Sequence, residues 1–140
     1  MAKISAKNAI ITLDDSTGTP RIISSDVKSF ELKQDAGKVE VTGFGESSAN
    51  YIPGLPVLEV TLDVFYNIVA DVGAWTVLNG IYMSATSKTL KIKPDPAGQV
   101  WTGEVMLDAL PIKGAPADAL EVGSVTFSIM GGAGGAWGST

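Results

Sequence analysis

The sequence predicts a mainly β protein, a small β-sandwich or barrel with one flanking α-helix. Apolar and polar residues alternate with period two in several segments, and turn sequences rich in Asp and Gly separate those segments. Such alternation is typical of strands because successive side chains point to opposite faces of a sheet. A length of 140 residues is sufficient for one domain with its own core.

Three segments carry the clearest strand pattern, at residues 56–64, 101–109 and 125–129. Weaker patterns predict further strands at 9–13, 27–33, 38–42 and 88–93. Turn-forming sequences occur at 14–18, 35–37 and 95–98, and the second and third are short enough to connect hairpins.

One stretch follows a helical period instead. Apolar residues recur there at steps of three and four, which places them on one face of a short helix: Ile68, Val69, Val72, Trp75 and Leu78. Gly80 is the expected end of this helix. The apolar stretch at 68–83 includes Asp71 and is shorter than the ~20 apolar residues that a bilayer requires, so we expect no membrane span.

Two long segments lack a regular pattern, at 43–56 and 111–123. Loops of this length in a small domain usually have a function or become ordered against a partner. We therefore assign residues 1–130 to a single β domain with a long loop arm at 43–56. Residues 131–140 form a Gly-rich C-terminal tail, which is flexible by composition.

The composition argues against an enzyme. The chain has no His and no Cys, which removes the imidazole base, the thiol nucleophile and the commonest transition-metal ligands. Asp14, Ser16 and Gly18 match the start of a calcium loop, but Ser25 occupies the twelfth position, where a bidentate Glu is needed. Ser25 and Lys28 have the spacing of an acylating pair, yet they enter a predicted strand. We predict no catalytic residue, no cofactor and no metal site.

The charge distribution gives two interpretations of the strand faces. With 10 Lys and Arg against 15 Asp and Glu, the net charge is −5, which is unsuited to wrapping nucleic acid. Four carboxylates occupy polar faces of two predicted strands: Glu59, Asp63, Glu104 and Asp108. Partners within one strand lie ~13 Å apart, too far for a glycosidase pair, although neighbouring strands bring residues closer. These carboxylates form either a solvated sheet face or a channel wall that repels a polyanion.

The three tryptophans fall into two groups. Trp75 and Trp101 lie on apolar faces and are expected in the core. Trp137 follows the last predicted strand within the Gly-rich tail, and a large aromatic side chain there is costly to leave in water. We expect it to dock on a neighbouring subunit in preference to its own domain.

Four segments span nearly the whole chain: residues 8–24 (NAIITLDDSTGTPRIIS), 42–47 (TGFGES), 51–55 (YIPGL) and 123–128 (GSVTFS). In these segments and in their order the chain resembles tail tube (major tail) proteins of long-tailed bacteriophages. The apolar stretch at 65–83 departs from the family's pattern.

The resemblance implies a tail-tube-like fold and a structural role in the virion. It implies hexameric rings that stack into a tube through which DNA is ejected without specific binding, after synthesis in the host cytoplasm. The implied partners are further copies of the chain and the terminator, the baseplate or tip and the tape measure protein. The lumen-lining candidates are then the four carboxylates named above, and the arm at 43–56 would reach an adjacent subunit. The assembly-arm candidates are Phe44, Tyr51, Pro53 and Trp137.

Other structural roles and one other class remain open. A capsid decoration protein and the tube of a contractile injection system fit the same features. A small β-sandwich module that binds carbohydrate or protein is the alternative from a different class. Such a module usually exposes several aromatic side chains on one face, whereas the tyrosines lie in different segments, at Tyr51, Tyr66 and Tyr82.

Overall fold

A computed structural model describes residues 6–55, 57–130 and 135–138. Ten strands and one α-helix are found in these residues. They run in the order β1 (Ile10–Asp14), β2 (Pro20–Ile22), β3 (Val27–Asp35), β4 (Lys38–Glu40), β5 (Tyr51–Pro53), β6 (Val57–Phe65), α1 (Ala74–Ile81), β7 (Lys88–Lys93), β8 (Val100–Ala109), β9 (Glu121–Ile129) and β10 (Ala136–Gly138). Short 3-10 turns lie at Ala6–Asn8 and Ser24–Asp26.

Eight of the strands form one antiparallel sheet. Its order is β2-β1-β7-β8-β9-β6-β3, and β10 pairs with β8 outside this path. The sheet curls around a single core, because β1 near one edge and β6 near the other contribute to the same buried cluster. The predicted class, mainly β with one helix, is confirmed and is consistent with a small β-sandwich. In the described residues the sheet does not close into a barrel, since β2 and β3 are its two edges.

The period-two pattern places the core on one face of the sheet. In β6, Val60, Leu62 and Val64 are buried and their odd-numbered neighbours face outward. The inward residues of β8 and β9 include Trp101 and Phe127, which are fully buried as predicted for Trp101. Burial of such side chains supplies the main favourable free energy of folding.

The helix covers this core but begins later than the sequence predicts. The predicted stripe from Ile68 is wrong in its first part: Ile68 is 65% exposed and lies in a loop before α1. A carboxylate distant in sequence sets the start, because Asp26 Oδ2 accepts a hydrogen bond from the backbone amide of Ala74 at 3.2 Å. At the other end, Gly80 lies within the helix, which ends at Ile81.

Two predicted irregular segments contain strand residues. In 43–56, Tyr51–Pro53 forms β5, and in 111–123 the last residues open β9. In the second segment, an isolated antiparallel bridge pairs Lys113 with Glu121, so the chain between them folds into a closed loop. Single-sequence alternation misses these short pairings because each depends on a partner elsewhere in the chain.

Candidate assembly surfaces

The predicted arm at 43–56 is part of a longer β-hairpin, residues 38–55, that stands apart from the main sheet, and we call this whole hairpin the arm. β4 and β5 pair only with each other, with Val39 opposite Ile52 and Glu40 opposite Tyr51. A further backbone bond from Val41 N to Asn50 O, 2.8 Å long, extends the pairing toward the tip. A two-stranded hairpin on its own is marginally stable in water. This hairpin therefore needs a surface to pack against.

The arm exposes apolar side chains along its length. Phe44 at the tip is fully exposed and Leu55 at the base is nearly so. Between them, Val39, Val41 and Ile52 are each about half exposed, and all three lie on one face of the hairpin because of the pairing register. The opposite face carries Tyr51, over whose ring the Nζ of Lys38 sits 4.3 Å from the centroid. Contiguous exposed apolar side chains are typical of surfaces that contact a partner.

Two glycines form the neck that joins the arm to the domain. A Cβ on Gly54 would lie 2.0 Å from the carbonyl oxygen of Gly37, and a Cβ on Gly37 would lie 2.4 Å from the carbonyl oxygen of Leu55. Gly37 also has φ +57°, and its amide donates to Asp35 Oδ1 at 3.0 Å. No residue other than glycine allows this close approach of the two backbones. The two backbones are thus in close contact at the neck.

The four predicted lumen carboxylates lie together on the outward face of the sheet. Glu59 and Asp63 face outward from β6, and Glu104 and Asp108 face outward from β8. Ser128 of β9 lies opposite Glu59 of β6. Its hydroxyl donates a hydrogen bond to Asp108 of β8, which links β9 to β8 on this face. Thr89 Oγ1 donates to Glu104 at 3.0 Å. The same face also holds Lys33, opposite Glu59, and Lys91, opposite Thr102.

Asp63 differs from the other three because it accepts a hydrogen bond from a backbone amide in addition to one from a hydroxyl. β3 and β9 each have a register shift beside it, and it lies opposite the bulge at Gly123 and Ser124. Its Oδ1 accepts from the Ser124 amide at 2.6 Å and its Oδ2 from the Ser29 hydroxyl at 3.0 Å. These hydrogen bonds, the amide bond above all, hold the pKa of Asp63 below its usual value.

Two further polar clusters were not predicted from the sequence. Asp15 Oδ1 accepts hydrogen bonds from Thr17 Oγ1 and from the amides of Thr17 and Thr19, and Arg21 Nε lies 3.0 Å from its Oδ2. The bond from the Thr17 hydroxyl is the largest of the influences that lower the pKa of Asp15. The Asp-Asp-Ser-Thr-Gly sequence predicts the turn at 14–18 but not these hydrogen bonds.

The second cluster holds the 3-10 turn to the start of the helix. Asn67 Nδ2 donates to both oxygens of Asp26 at 3.0 and 3.1 Å, and the Asn67 carbonyl accepts from the Trp75 amide. No local sequence signal identifies this pairing, because 41 residues separate the partners.

The assembly-arm candidates fall on two separate elements. Phe44, Tyr51 and Pro53 all belong to the hairpin but are spread along it: Phe44 lies in the tip, and Tyr51 and Pro53 lie on β5, on the face opposite Val39 and Ile52. Trp137 lies in β10 directly opposite Trp101 of β8, and it remains 41% exposed. Trp75 is half-buried, and its ring centroid lies 5.2 Å from that of Tyr66. Residues 131–134, 139 and 140 of the predicted tail lie outside the described residues.

The part of the chain that the structure describes contains no cluster of acidic side chains suited to holding a metal ion. No helix in that part is long and apolar enough to cross a membrane. Its core holds no buried polar or charged residue.

Comparison with solved structures finds this fold elsewhere over nearly the whole chain. A chain from the virion of a native gene transfer agent particle matches with a TM-score of 0.78 at 13% identity, covering 98% of this chain and all of that one. A chain from the tail of an empty gene transfer agent particle, refined with C6 symmetry, matches at 0.76 and 15% identity over 99% of both.

A third match is a chain of the sixfold-symmetrised baseplate of the anti-feeding prophage. Its TM-score is 0.66 at 8% identity, covering 99% of this chain and 98% of that one. No protein-family model matches the sequence, and no curated protein matches it. The resemblance to tail tube proteins is thus confirmed at the level of the fold.

Proposed function

We propose that this chain is a structural protein of a phage-like tail and assembles into stacked, hexameric rings that form the tail tube. The observation that carries the proposal is the end-to-end match of the fold with chains of virion, tail and baseplate structures, two of them with sixfold symmetry. The unpartnered hairpin supports it, because an isolated β-ribbon with an apolar face gains stability only against another surface. In this proposal the chain acts without catalysis.

The arm and the neck are proposed as the assembly elements of the single domain spanning residues 1–130. Phe44, Tyr51 and Pro53 would pack on an adjacent copy, in the same ring or the next. A contact between different surfaces of identical copies repeats head to tail and closes into a ring when the rotation allows it. The free edges β2 and β3 would be covered in the same assembly, which prevents uncontrolled edge pairing.

The outward sheet face is proposed as the lumen wall. A six-copy ring would carry a formal charge of −30, six times −5. Glu59, Glu104 and Asp108 would place acidic charge on that wall, and Asp63 would add to it while also bonding the sheet. An acidic wall repels the phosphate backbone, so DNA would pass through on ejection without adhering. The further partners would be the terminator, the tip or baseplate and the tape measure protein.

A carbohydrate-binding module is less well supported. Its face would need several free aromatic side chains together, yet Tyr66 packs against Trp75 and Tyr51 lies on the arm beneath Lys38. A decoration protein or an injection-system tube uses the same physical features as a tail tube. Identification of the particle in which the chain occurs would distinguish these three roles.

Sizing and negative-stain electron microscopy of the purified chain test the proposal together. Rings or tubes at high protein concentration are expected. A strictly monomeric chain that is retained on a glycan column would favour the binding module instead. A variant lacking the interior of 43–53 serves as the matched control, since it should stay folded and lose assembly.

A further inference from the structure

The strand β10 pairs with β8 on the same side as β9, but its register is offset by four residues from that of β9. β7 pairs with residues 101–105 along one side of β8. β9 pairs with residues 105–109 and β10 with residues 100–102. Both ranges overlap the range paired with β7, so β9 and β10 lie on the other side of β8. Ile129 stands opposite Val105, and the Met130 amide bonds to the Glu104 carbonyl at 3.0 Å. Continued without interruption, this ladder would bring residue 132 opposite Thr102. Ala136 stands there instead, four residues later.

The segment covers a buried aromatic side chain. Trp101 is 1% exposed, and its ring lies against Gly103 and Gly135: a Cβ on either glycine would fall 2.5 Å from a ring carbon. Gly135 also has φ +82°, which favours glycine at that position. Removal of the segment would expose this side of the indole, so a filled site on β8 makes the folded protein more stable than an empty one.

The segment is nevertheless weakly held. Its pairing covers three residues, all of them exposed, and Trp137 keeps 41% of its surface in water. The four additional residues before it can span roughly 13 Å when extended, at ~3.3 Å per residue. Exchange of an identical element between copies replaces each lost contact by the same contact, so it costs little free energy. Burial of Trp137 between two copies would then favour the exchanged form.

We propose that residues 135–138 exchange between copies, pairing with Val100–Thr102 of a neighbouring copy and covering its Trp101. The occupant of the site is the segment that already fits it within the chain. The exchange rests on the proposed assembly into rings and adds a specific contact to it. In a ring the neighbouring segment is held near the site, which lowers the entropy cost of exchange relative to exchange between free chains.

Mixed single-cysteine chains test the exchange. The natural chain has no Cys, so a Thr102→Cys chain mixed with an Ala136→Cys chain can form the 102–136 disulfide only between copies. The positions are directly opposed, and opposed residues of antiparallel strands lie ~4.5–5.5 Å apart between Cα atoms, within the range of a disulfide. Oxidised assemblies should contain covalent heterodimers, which should be lacking in the monomer fraction.

The control mixes a Glu31→Cys chain with a Thr61→Cys chain. These residues are also directly opposed, in the long β3–β6 ladder, and should give no heterodimer. Tubes without the 102–136 heterodimer would overturn the exchange and leave the proposed tube intact. Failure of the unmodified chain to assemble would overturn the tube, and the exchange with it.

Discussion

Asp63 and Ser124 are joined by a 2.6 Å hydrogen bond from the Ser124 backbone amide to the carboxylate Oδ1. Ser124 has φ +55° in a bulge, where its amide faces Asp63. Ser29 completes the contact from the other neighbouring strand. A residue selected by strand alternation as a candidate for the lumen wall thus connects three strands.

Replacement of Asp63 by Ala should destabilise the domain. Hydrogen bonds to a charged group contribute about 1.5–3 kcal/mol when well shielded, and this carboxylate is only partly buried, so we expect a loss of about 1 kcal/mol. Glu59→Ala is the control on the same strand and face, with an expected change within about 0.5 kcal/mol. Urea unfolding measures both. Equal losses in the two variants would contradict a bonding role for Asp63.

Stability should fall in acid because Asp63 and Asp15 have lowered pKa values in the folded protein. A carboxyl group whose pKa is lower in the folded state binds protons more tightly when unfolded. Its stabilising contribution is therefore present above the unfolded pKa of about 3.9 and is lost as pH falls through the folded pKa. Urea midpoints between pH 6 and pH 2 should decline less steeply in Asp63→Asn than in the unmodified chain. Parallel curves would rule out this linkage.

Gly54→Ala should misdirect the arm without unfolding the core. The added Cβ would meet the Gly37 carbonyl at 2.0 Å, so the neck must open. We expect near-normal thermal unfolding of the domain and at least a tenfold loss of polymer, which corresponds to about 1.4 kcal/mol per contact. Gly98→Ala, whose Cβ would have ordinary contacts of 3.5 Å or more, is the control. Normal polymerisation of Gly54→Ala would argue against a fixed arm direction.

Truncations separate folding from assembly. Deleting residues 133–140 removes Gly135 and Trp137, and should leave a folded domain with a lower melting temperature and impaired polymerisation. Deleting the interior of 43–53 should impair polymerisation with little effect on melting, because the arm packs outside the core. Circular dichroism and sedimentation measure the two effects. Wild-type tube yield from both deletions would remove the case for these segments in assembly.

Charge reversal on the outward sheet face should make assembled tubes retain DNA. Glu59→Lys with Glu104→Lys changes the formal charge of the chain from −5 to −1, since each reversal adds two. The control, Asp71→Lys with Asp118→Lys, makes the same change at exposed loop positions. Co-sedimentation with DNA at low salt should increase only for the first pair. Equal retention by both would indicate that net charge, and not the proposed lumen wall, governs binding.

The sequence predicts those elements whose signal is local. Strand β6 follows from its own alternation, and Trp101 is buried where its strand face predicts. The beginning of α1 does not follow, because it is set by Asp26 through the Ala74 amide across 48 residues. The exposed Ile68 continues the helical spacing although it lies outside the helix. The pairing of β10 with β8 depends on a long-range register that composition conceals, since Gly-rich residues are typical of flexible tails.

For the candidate surface residues, the sequence predicts which strand face each side chain occupies. It does not predict the hydrogen bonds that each side chain makes. Alternation places Glu59 and Glu104 on polar strand faces, and the sheet order brings those faces together. The bulges beside Asp63 have no sequence signature of their own, so its bonding role could not be anticipated.

A helical reconstruction by electron microscopy of the purified, polymerised chain tests the central claim most directly. We predict a tube of stacked rings with six copies each, the hairpin arms contacting adjacent copies and Glu59 and Glu104 facing the axis. A chain that remains monomeric at high concentration would contradict the tube. A tube whose lumen is formed by another face would contradict the assignment of the wall.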